Sequence, residues 1–222
     1  MEIHVRNITL SYEVYGKGSP LLLLHGNGED HHIFDVLGAK LAQHHTLYAL
    51  DSRNHGESSR TADYSYAAMA EDVHAFIEAL QLGQVGMVGF SDGAIIALLL
   101  ALSHPQNLAR MALLGVNLQP SDLTDESIQY VEQAYRESRD PLLKLMLEEP
   151  DISRESLQNL HIPSLVIAGE HDIFKPETFP RLVEALPQAE LIIMQGHDHS
   201  SYIVSQAILF PVLKDFFQAS VR

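Results

Sequence analysis

Short apolar runs recur along the whole chain and alternate with segments in which apolar residues lie three or four positions apart. Nearly continuous apolar runs predict buried strands, whereas the wider spacing predicts helices packed against them. Strands that alternate with helices favour a mostly parallel sheet with helices on both faces, an α/β fold. The predicted strands of this sheet are residues 20–25, 46–50, 84–90, 111–116, 164–168 and 191–194.

The helical stripes differ in how much apolar surface they offer. The clearest stripe consists of Met69, Ala70, Val73, Phe76, Ile77 and Leu80. A helix at residues 94–102 is apolar on nearly every side, which predicts that it lies deep against the sheet. Further helices are predicted at residues 33–43, from Pro176 onward and along a final stripe of Ile208, Leu209, Val212, Leu213, Phe216 and Phe217, with Pro211 either near the helix start or kinking it.

The regular alternation is interrupted at two places. Residues 2–15 alternate in the manner of two short strands, which predicts an antiparallel hairpin at one edge of the sheet. Residues 118–160, the lid segment, depart from the strand and helix alternation and are predicted to be helical at 122–138, 141–148 and 154–160. We expect one domain over residues 1–222, with the lid segment as a short helical insertion.

A serine flanked by glycines joins the predicted strand 84–90 to the helix 94–102. The sequence Gly89-Phe90-Ser91-Asp92-Gly93 has the G-x-S-x-G pattern, in which the glycines make room for a sharp strand-to-helix turn. Such a turn holds the serine hydroxyl above the sheet, at the positive end of the helix. Ser91 is therefore the candidate nucleophile.

A serine hydroxyl is too weak an acid to attack at neutral pH without a base, and a histidine base needs a carboxylate partner. Asp172 follows the strand 164–168 and His199 follows the strand 191–194, so both lie at the carboxyl ends of strands, as Ser91 does. His197 is the rival base. Glu170 and Asp198 are the rival acids.

These residues and the loops around them match the sequence motifs of a known family. Over essentially its full length the chain resembles the α/β-hydrolase superfamily of serine hydrolases, of an esterase-like kind with a short lid. The matching elements are the loops 25–28 and 51–58, the turn at Ser91, the G-x-x-D of 169–172 and the G-x-x-H of 196–199, in the chain order serine, aspartate, histidine. Asn54 departs from the family pattern, which commonly has glycine there in the supporting loop.

The resemblance implies both an activity and a division of roles. Ser91 would attack the carbonyl, His199 would move the proton, and Asp172 would orient His199, while the backbone amides of Asn27 and Asp92 would bind the oxyanion. We expect a cofactor-free hydrolase of carboxylic esters with short acyl groups, in a pocket lined by residues such as Leu143 and Met146. The alternatives are another acyl or carbon–carbon bond hydrolase, such as a thioesterase, lactonase or aminopeptidase, and a non-catalytic hydrolase-like binding protein.

The Asp92 side chain carries two further hypotheses. It could face the pocket and attract a cationic group of the substrate, or it could cap the helix or lie exposed.

Charge and composition narrow the partners. Acidic residues outnumber basic ones by 29 to 14, for a net charge of −15, which argues against nucleic acid and anionic membranes. The chain has no cysteine, so thiolate metal sites and disulfides are excluded, and its 13 histidines show no spaced ligand motif. Residues 1–6 lack the apolar core of a signal peptide, so we expect a cytoplasmic protein. The expected partner is a small acyl substrate, and no metal is expected. The sequence leaves open whether the protein forms a homodimer.

Overall fold

The computed structural model describes residues 1–218; the predicted domain extends to residue 222, and residues 219–222 lie outside the described residues. An eight-stranded sheet runs through the molecule in the order β1-β2-β4-β3-β5-β6-β7-β8. The strands are β1 Glu2–Val5, β2 Ile8–Gly16, β3 Ser19–Leu24, β4 His45–Leu50, β5 Val85–Phe90, β6 Leu108–Leu114, β7 Ser164–His171 and β8 Ala189–Asp198. The α-helices are α1 Asp35–Leu41, α2 Tyr66–Ala79, α3 Asp92–Ser103, α4 Asp125–Ser138, α5 Pro141–Glu148, α6 Arg154–Leu157, α7 Thr178–Ala185 and α8 Phe210–Gln218.

The predicted mostly parallel sheet with an N-terminal antiparallel hairpin is confirmed. Strands β1 and β2 pair antiparallel, as do β2 and β4, and the pairs from β4 onward across the sheet are parallel. The parallel strands all end at one edge of the sheet, so the loops that follow them meet there.

Helices cover both faces of this sheet, as predicted. Successive side chains of a strand point to opposite faces, and in β3 this separates Leu22 and Leu24 from Leu21 and Leu23. The first pair packs in a core that contains the apolar faces of α2, α3 and α7. The second pair packs in a core with α1 and α8. All four leucines are fully buried, which explains the continuous apolar run of this strand.

The ends of some helices differ from the sequence prediction. Helix α7 begins at Thr178, two residues after the Pro176 that was expected to open it. Helix α8 begins at Phe210, so Pro211 lies in its first turn, where its missing N–H costs no hydrogen bond. Ile208, which was predicted on the inward face of this helix, precedes it and is 44% exposed.

The lid segment contains α4, α5 and α6. Helix α4 begins later than predicted because the side chain of Thr124 caps it by accepting a hydrogen bond from the Ser127 N–H, while residues 120–122 form a separate 3₁₀ turn. Helix α6 ends at Leu157, before the predicted residue 160. The helices α4 and α5 pack on each other and stand above the carboxyl ends of the strands, beside Ser91.

Candidate active site

Ser91 occupies the turn between β5 and α3 with an unusual backbone conformation. Its φ of 52° and ψ of −114° lie outside the regions that a serine ordinarily adopts. The Ser91 N–H donates to the Leu114 carbonyl of the neighbouring strand at 2.8 Å, which fixes this strained turn to the sheet. The side chain thereby projects from the carboxyl edge of the sheet, into the cavity described below.

The two glycines of the turn are required by close backbone contacts. A Cβ atom at Gly89 would lie 2.3 Å from the Gly93 carbonyl oxygen, and a Cβ atom at Gly93 would lie 2.1 Å from the Leu24 carbonyl oxygen. Both distances are far below contact distance to atoms that belong to the backbone and cannot rotate away. These contacts therefore explain why the sequence has glycine at both positions.

The structure brings Ser91, His199 and Asp172 together in a hydrogen-bonded series. The Nε2 atom of His199 lies 3.1 Å from the Ser91 Oγ, and its Nδ1 atom lies 2.8 Å from an oxygen of Asp172. The Asp172 side chain is 2% exposed, and its other oxygen accepts a hydrogen bond from the Gly169 N–H at 3.1 Å. This arrangement can accept a proton from the serine while the carboxylate stabilises the imidazolium.

Aromatic rings and a glycine fix the His199 ring. Phe90 and Phe174 pack on it with ring centroids 5.0 and 5.4 Å away. At Gly115, a Cβ atom would lie 2.6 Å from the Cε1 atom of His199. The sequence prediction did not single out Gly115 or Phe174. For Gly115, the signal in the sequence is a glycine at the end of an apolar strand, and its φ of 56° in the structure shows that a tight turn is needed there.

The rival residues lie elsewhere. His197 contacts the Ser201 hydroxyl at 3.1 Å, and Asp198 accepts hydrogen bonds from the Ser200 and Ser201 N–H groups. Glu170 accepts a hydrogen bond from the Gly196 N–H at 2.7 Å. The structure records none of the three in contact with Ser91 among the described residues.

Asn27 lies in the loop after β3, Asp92 directly follows Ser91, and the two are joined through their side chains. The Asn27 Nδ2 donates to Asp92 Oδ2 at 2.9 Å and to the Leu142 carbonyl at 3.2 Å. Within residues 1–218, neither backbone amide donates a hydrogen bond to another residue. Both N–H groups thus remain able to bind an oxygen atom of a substrate.

The Asp92 carboxylate neither caps α3 nor lies exposed, and it lines a small cavity beside Ser91 rather than the main cavity. It is buried, and its Oδ1 accepts a hydrogen bond from the Tyr66 hydroxyl at 2.7 Å. Burial raises the pKa of Asp92, an effect that the hydrogen bonds from Tyr66 and Asn27 partly offset. With both oxygens engaged and the group buried, the side chain is neither exposed nor part of the wall of the main cavity.

His25 holds the loop that carries Asn27. Its Nε2 accepts a hydrogen bond from the Ser52 N–H at 3.0 Å, so the proton is on Nδ1, which donates to the Gly26 carbonyl at 2.8 Å. Burial lowers the pKa of His25 to about 4, which keeps the ring neutral. This neutral histidine links the loop after β3 to the loop after β4.

A cavity of about 790 Å³ opens above Ser91. Leu143 and Met146 line it, as predicted. The other lining residues come from the strand ends, from α4 and from the turns beside them: Asn27, Glu29, Phe90, Leu123, Thr124, Glu126, Ser127, Tyr130, Val131, His171, Asp172, Ile173, His199 and Ser200.

Residues 1–218 contain no group of three or more histidine, aspartate or glutamate side chains arranged to hold a metal ion. In the same range, every helix is too short or too polar to cross a bilayer.

Comparison with known proteins supports the resemblance seen in the sequence. The family model of the alpha/beta hydrolase fold matches residues 19–147. An uncharacterized protein of Mycobacterium tuberculosis is 35% identical over 106 residues, which are 47% of this chain and only 31% of that longer protein. The 2-hydroxymuconate semialdehyde hydrolase of a Pseudomonas strain is 28% identical over 202 residues, 86% of this chain and 71% of that enzyme.

Solved structures agree at the level of the fold. An esterase from Exiguobacterium antarcticum superposes with a TM-score of 0.87 at 18% identity, over 98% of this chain and 99% of that one. At this identity the likeness establishes the fold alone.

Proposed function

The chain belongs to the alpha/beta hydrolase fold family, and from that premise we propose that it is a serine hydrolase that cleaves carboxylic esters through an acyl-enzyme. The observation that carries the proposal is the series from Ser91 through His199 to Asp172, with distances of 3.1 and 2.8 Å. The same contacts satisfy the geometric requirement for a nucleophile, a base and a group that orients the base.

The first half of the reaction forms the acyl-enzyme. His199 Nε2 accepts the proton of the Ser91 hydroxyl as the oxygen attacks the ester carbonyl, and Asp172 stabilises the imidazolium that results. The carbonyl oxygen becomes an oxyanion, which the amides of Asn27 and Asp92 bind. His199 then returns the proton to the departing alcohol, and the acyl group remains on Ser91.

The second half releases the acid. Water enters, His199 removes a proton from it, and the resulting hydroxide attacks the acyl carbonyl of the Ser91 ester. The second tetrahedral intermediate collapses, His199 gives the proton back to the Ser91 oxygen, and the carboxylic acid leaves. Each step uses the same amides and the same base, so no cofactor is needed.

The cavity bears on the size of the acyl group. Its volume of about 790 Å³ and its apolar residues from α4 and α5 can hold an acyl chain longer than the short ones expected from the sequence. We therefore propose that the acyl group packs against these apolar residues.

A series of p-nitrophenyl esters from acetate to decanoate tests this proposal. We expect saturable hydrolysis with an initial burst of p-nitrophenol, because acylation by an activated ester is faster than deacylation. Ser91→Ala should abolish the burst and lower kcat by at least about 10⁴-fold. Turnover that is equal in Ser91→Ala and the wild type would refute the proposal.

A second candidate is hydrolysis of a bond other than an ester. It is favoured by the 28% identity, over 86% of this chain, to the 2-hydroxymuconate semialdehyde hydrolase, because the compound in that enzyme's name is not an ester. Assaying 2-hydroxymuconate semialdehyde beside the ester series separates the two candidates: the preferred substrate has the higher kcat/KM, and Ser91→Ala should remove both activities.

A further inference from the structure

Glu29, which was not among the site residues predicted from the sequence, lies in the loop after β3 and lines the same cavity as Ser91. Its Oε2 accepts a hydrogen bond from the Gly26 N–H at 3.0 Å. The position that a Cβ atom would take on Gly26 is 2.8 Å from this oxygen and 3.1 Å from the Ser91 Cβ, so this oxygen and the Ser91 Cβ are at most about 6 Å apart.

Within residues 1–218, three carboxylates line this cavity, and the other titratable side chains that line it are those of Tyr130, His171 and His199. Of the carboxylates that line it, Asp172 is paired with His199, while Glu126 lies exposed at the rim and Glu29 lies half-buried near the nucleophile. No lysine or arginine within the described range lines the cavity. Two lysines of the neighbouring segments are engaged away from it, since Lys144 pairs with Glu148 and Lys175 donates to the Ser121 carbonyl.

The Glu29 carboxyl is only partly satisfied by the protein. Its second oxygen, Oε1, makes no hydrogen bond to any residue of the described chain. Partial burial removes solvation from the group and raises its pKa, with the hydrogen bond from Gly26 acting in the opposite direction. A positive group or a hydrogen-bond donor on a substrate would stabilise this carboxylate, and a second negative charge would be repelled by it.

We propose that Glu29 selects substrates by charge: the site accepts acyl groups that are uncharged or cationic at their far end, and it excludes acyl groups that carry a second carboxylate. The inference rests on the proposed function, because it requires the acyl group to occupy this cavity while Ser91 attacks. It assigns to Glu29 a role in binding and specificity rather than in proton transfer.

Three p-nitrophenyl esters of matched acyl length test this assignment. They are the pentanoate, which is uncharged, the glutarate monoester, which ends in a carboxylate, and the 4-(trimethylammonio)butanoate, which ends in a cation. For the wild type we expect kcat/KM of the cationic ester to exceed that of the anionic ester by at least about tenfold, as one nearby, partly desolvated charge allows. Raising the salt concentration should narrow this ratio.

Glu29→Gln tests the residue itself, because glutamine keeps an oxygen to accept the Gly26 N–H and removes only the charge. The cationic-to-anionic ratio should fall about tenfold in this variant. Glu184→Gln is the matched control: Glu184 is exposed on α7, does not line the cavity and loses the same unit of charge, so the ratio should stay at the wild-type value.

The outcomes separate this inference from the proposed function. Suppose that the pentanoate is hydrolysed, but the cationic-to-anionic ratio of kcat/KM is near one, does not change with salt, or stays the same in Glu29→Gln. Any of these results would overturn the role of Glu29 while the esterase proposal stands. Absence of turnover for all three esters, with Ser91 unreactive, would overturn both. Even if Glu29→Gln does not fold, a wild-type ratio near one, or a ratio that salt leaves unchanged, still overturns the role of Glu29.

Discussion

Asp92 and Asn27 carry the two amides assigned to the oxyanion hole, and the Asp92 carboxylate holds the Asn27 side chain at 2.9 Å. The same two residues connect to both ends of α5. Asn27 also donates to the Leu142 carbonyl near the start of that helix. Tyr66, which donates its hydroxyl to Asp92, also donates its backbone N–H to Glu149 at the end of α5. Asp92 thus ties the amides beside the nucleophile to one wall of the cavity.

Asp92→Asn should therefore weaken catalysis through position. Asparagine has one oxygen, so it can accept from Asn27 or from Tyr66 but not from both in the present arrangement. We expect kcat for the preferred ester to fall about tenfold with KM changed less than about threefold, because a displaced oxyanion donor acts in the transition state. The kcat and KM values of the purified variant check this.

Tyr66→Phe serves as the companion variant. It removes the hydrogen bond to Oδ1 and leaves the Asn27 contact in place, so its effect on kcat should be smaller than that of Asp92→Asn. A large rise in KM with unchanged kcat in Asp92→Asn would contradict the positioning role.

Gly115 controls the position of His199. Gly115→Ala introduces a Cβ atom 2.6 Å from the His199 Cε1, so the ring must move away from Ser91. A displacement of this order costs about 10²-fold in kcat, since the reacting atoms are no longer aligned. Kinetics of the variant on the preferred ester measure the loss.

Gly83→Ala is the control for backbone strain in that experiment. Gly83 has a φ of 68°, in the same left-handed region as the 56° of Gly115, but an added Cβ there meets nothing within 4 Å. Both variants should lose about 1–2 kcal/mol of folding free energy from the left-handed conformation. Only Gly115→Ala should lose activity, and an equal loss in both would show that strain, not contact with His199, is responsible.

The predictions from the sequence succeeded where one local pattern has one structural solution. The leucines of β3 form a continuous apolar run because both faces of that strand are covered. The glycines around Ser91 were predictable because a strand that turns directly into a helix leaves no room for a Cβ at those positions. Helix starts were less predictable: the Thr124 side chain, not the earlier polar residues, begins α4.

Contacts between distant parts of the chain could not be predicted in this way. The hydroxyl that bonds Asp92 belongs to Tyr66, 26 residues earlier, and a tyrosine at the start of an amphipathic helix gives no local sign of its partner. Glu29 was overlooked for the same reason. Its position beside Ser91 results from the meeting of two loops at one sheet edge, which the pattern of neither loop encodes.

Removing a charge from the buried ion pair at the loop after β4 should lower the free energy of unfolding more than removing an exposed charge. Arg53 contacts Asp72 through two nitrogens, at 2.6 and 2.8 Å, and both side chains are buried. Asp72→Asn leaves Arg53 with only the exposed Asp63, at 3.2 Å, as a carboxylate partner, and should lower the free energy of unfolding by about 3–5 kcal/mol. Urea unfolding followed by circular dichroism measures this change.

The same carboxylate provides the control. Arg6 also contacts Asp72, at 3.0 Å, but its side chain is 40% exposed, so Arg6→Ala should cost no more than about 1 kcal/mol. Comparable losses in Asp72→Asn and Arg6→Ala would contradict the assignment of the larger contribution to the buried pair.

His25 should make the folded state sensitive to mild acid. Its pKa is lowered to about 4 in the fold, against about 6.5 in an unfolded chain, so the unfolded state binds more protons between these values. The contribution of His25 is complete above pH 6.5 and is lost progressively as the pH falls toward 4, up to about 3 kcal/mol. Urea unfolding at a series of pH values should show this decline.

His25→Gln isolates the contribution of this one histidine. Glutamine offers a donor and an acceptor but does not titrate, so stability of the variant should depend less on pH over the same interval. Histidine NMR provides a direct check in the wild type, where the His25 ring should remain neutral at pH 5. Protonation of that ring near pH 6.5 in the folded protein would contradict the account.

The most direct test of the central claim is the intact mass of the protein after incubation with a fluorophosphonate probe, followed by peptide mapping. An activated serine displaces fluoride and forms a stable phosphonyl ester, which occupies the same amides as the reaction's oxyanion. We expect a single adduct on Ser91, absent in Ser91→Ala and formed much more slowly in His199→Ala. A folded protein that carries no adduct on Ser91, or that is labelled at the same rate without His199, would contradict it.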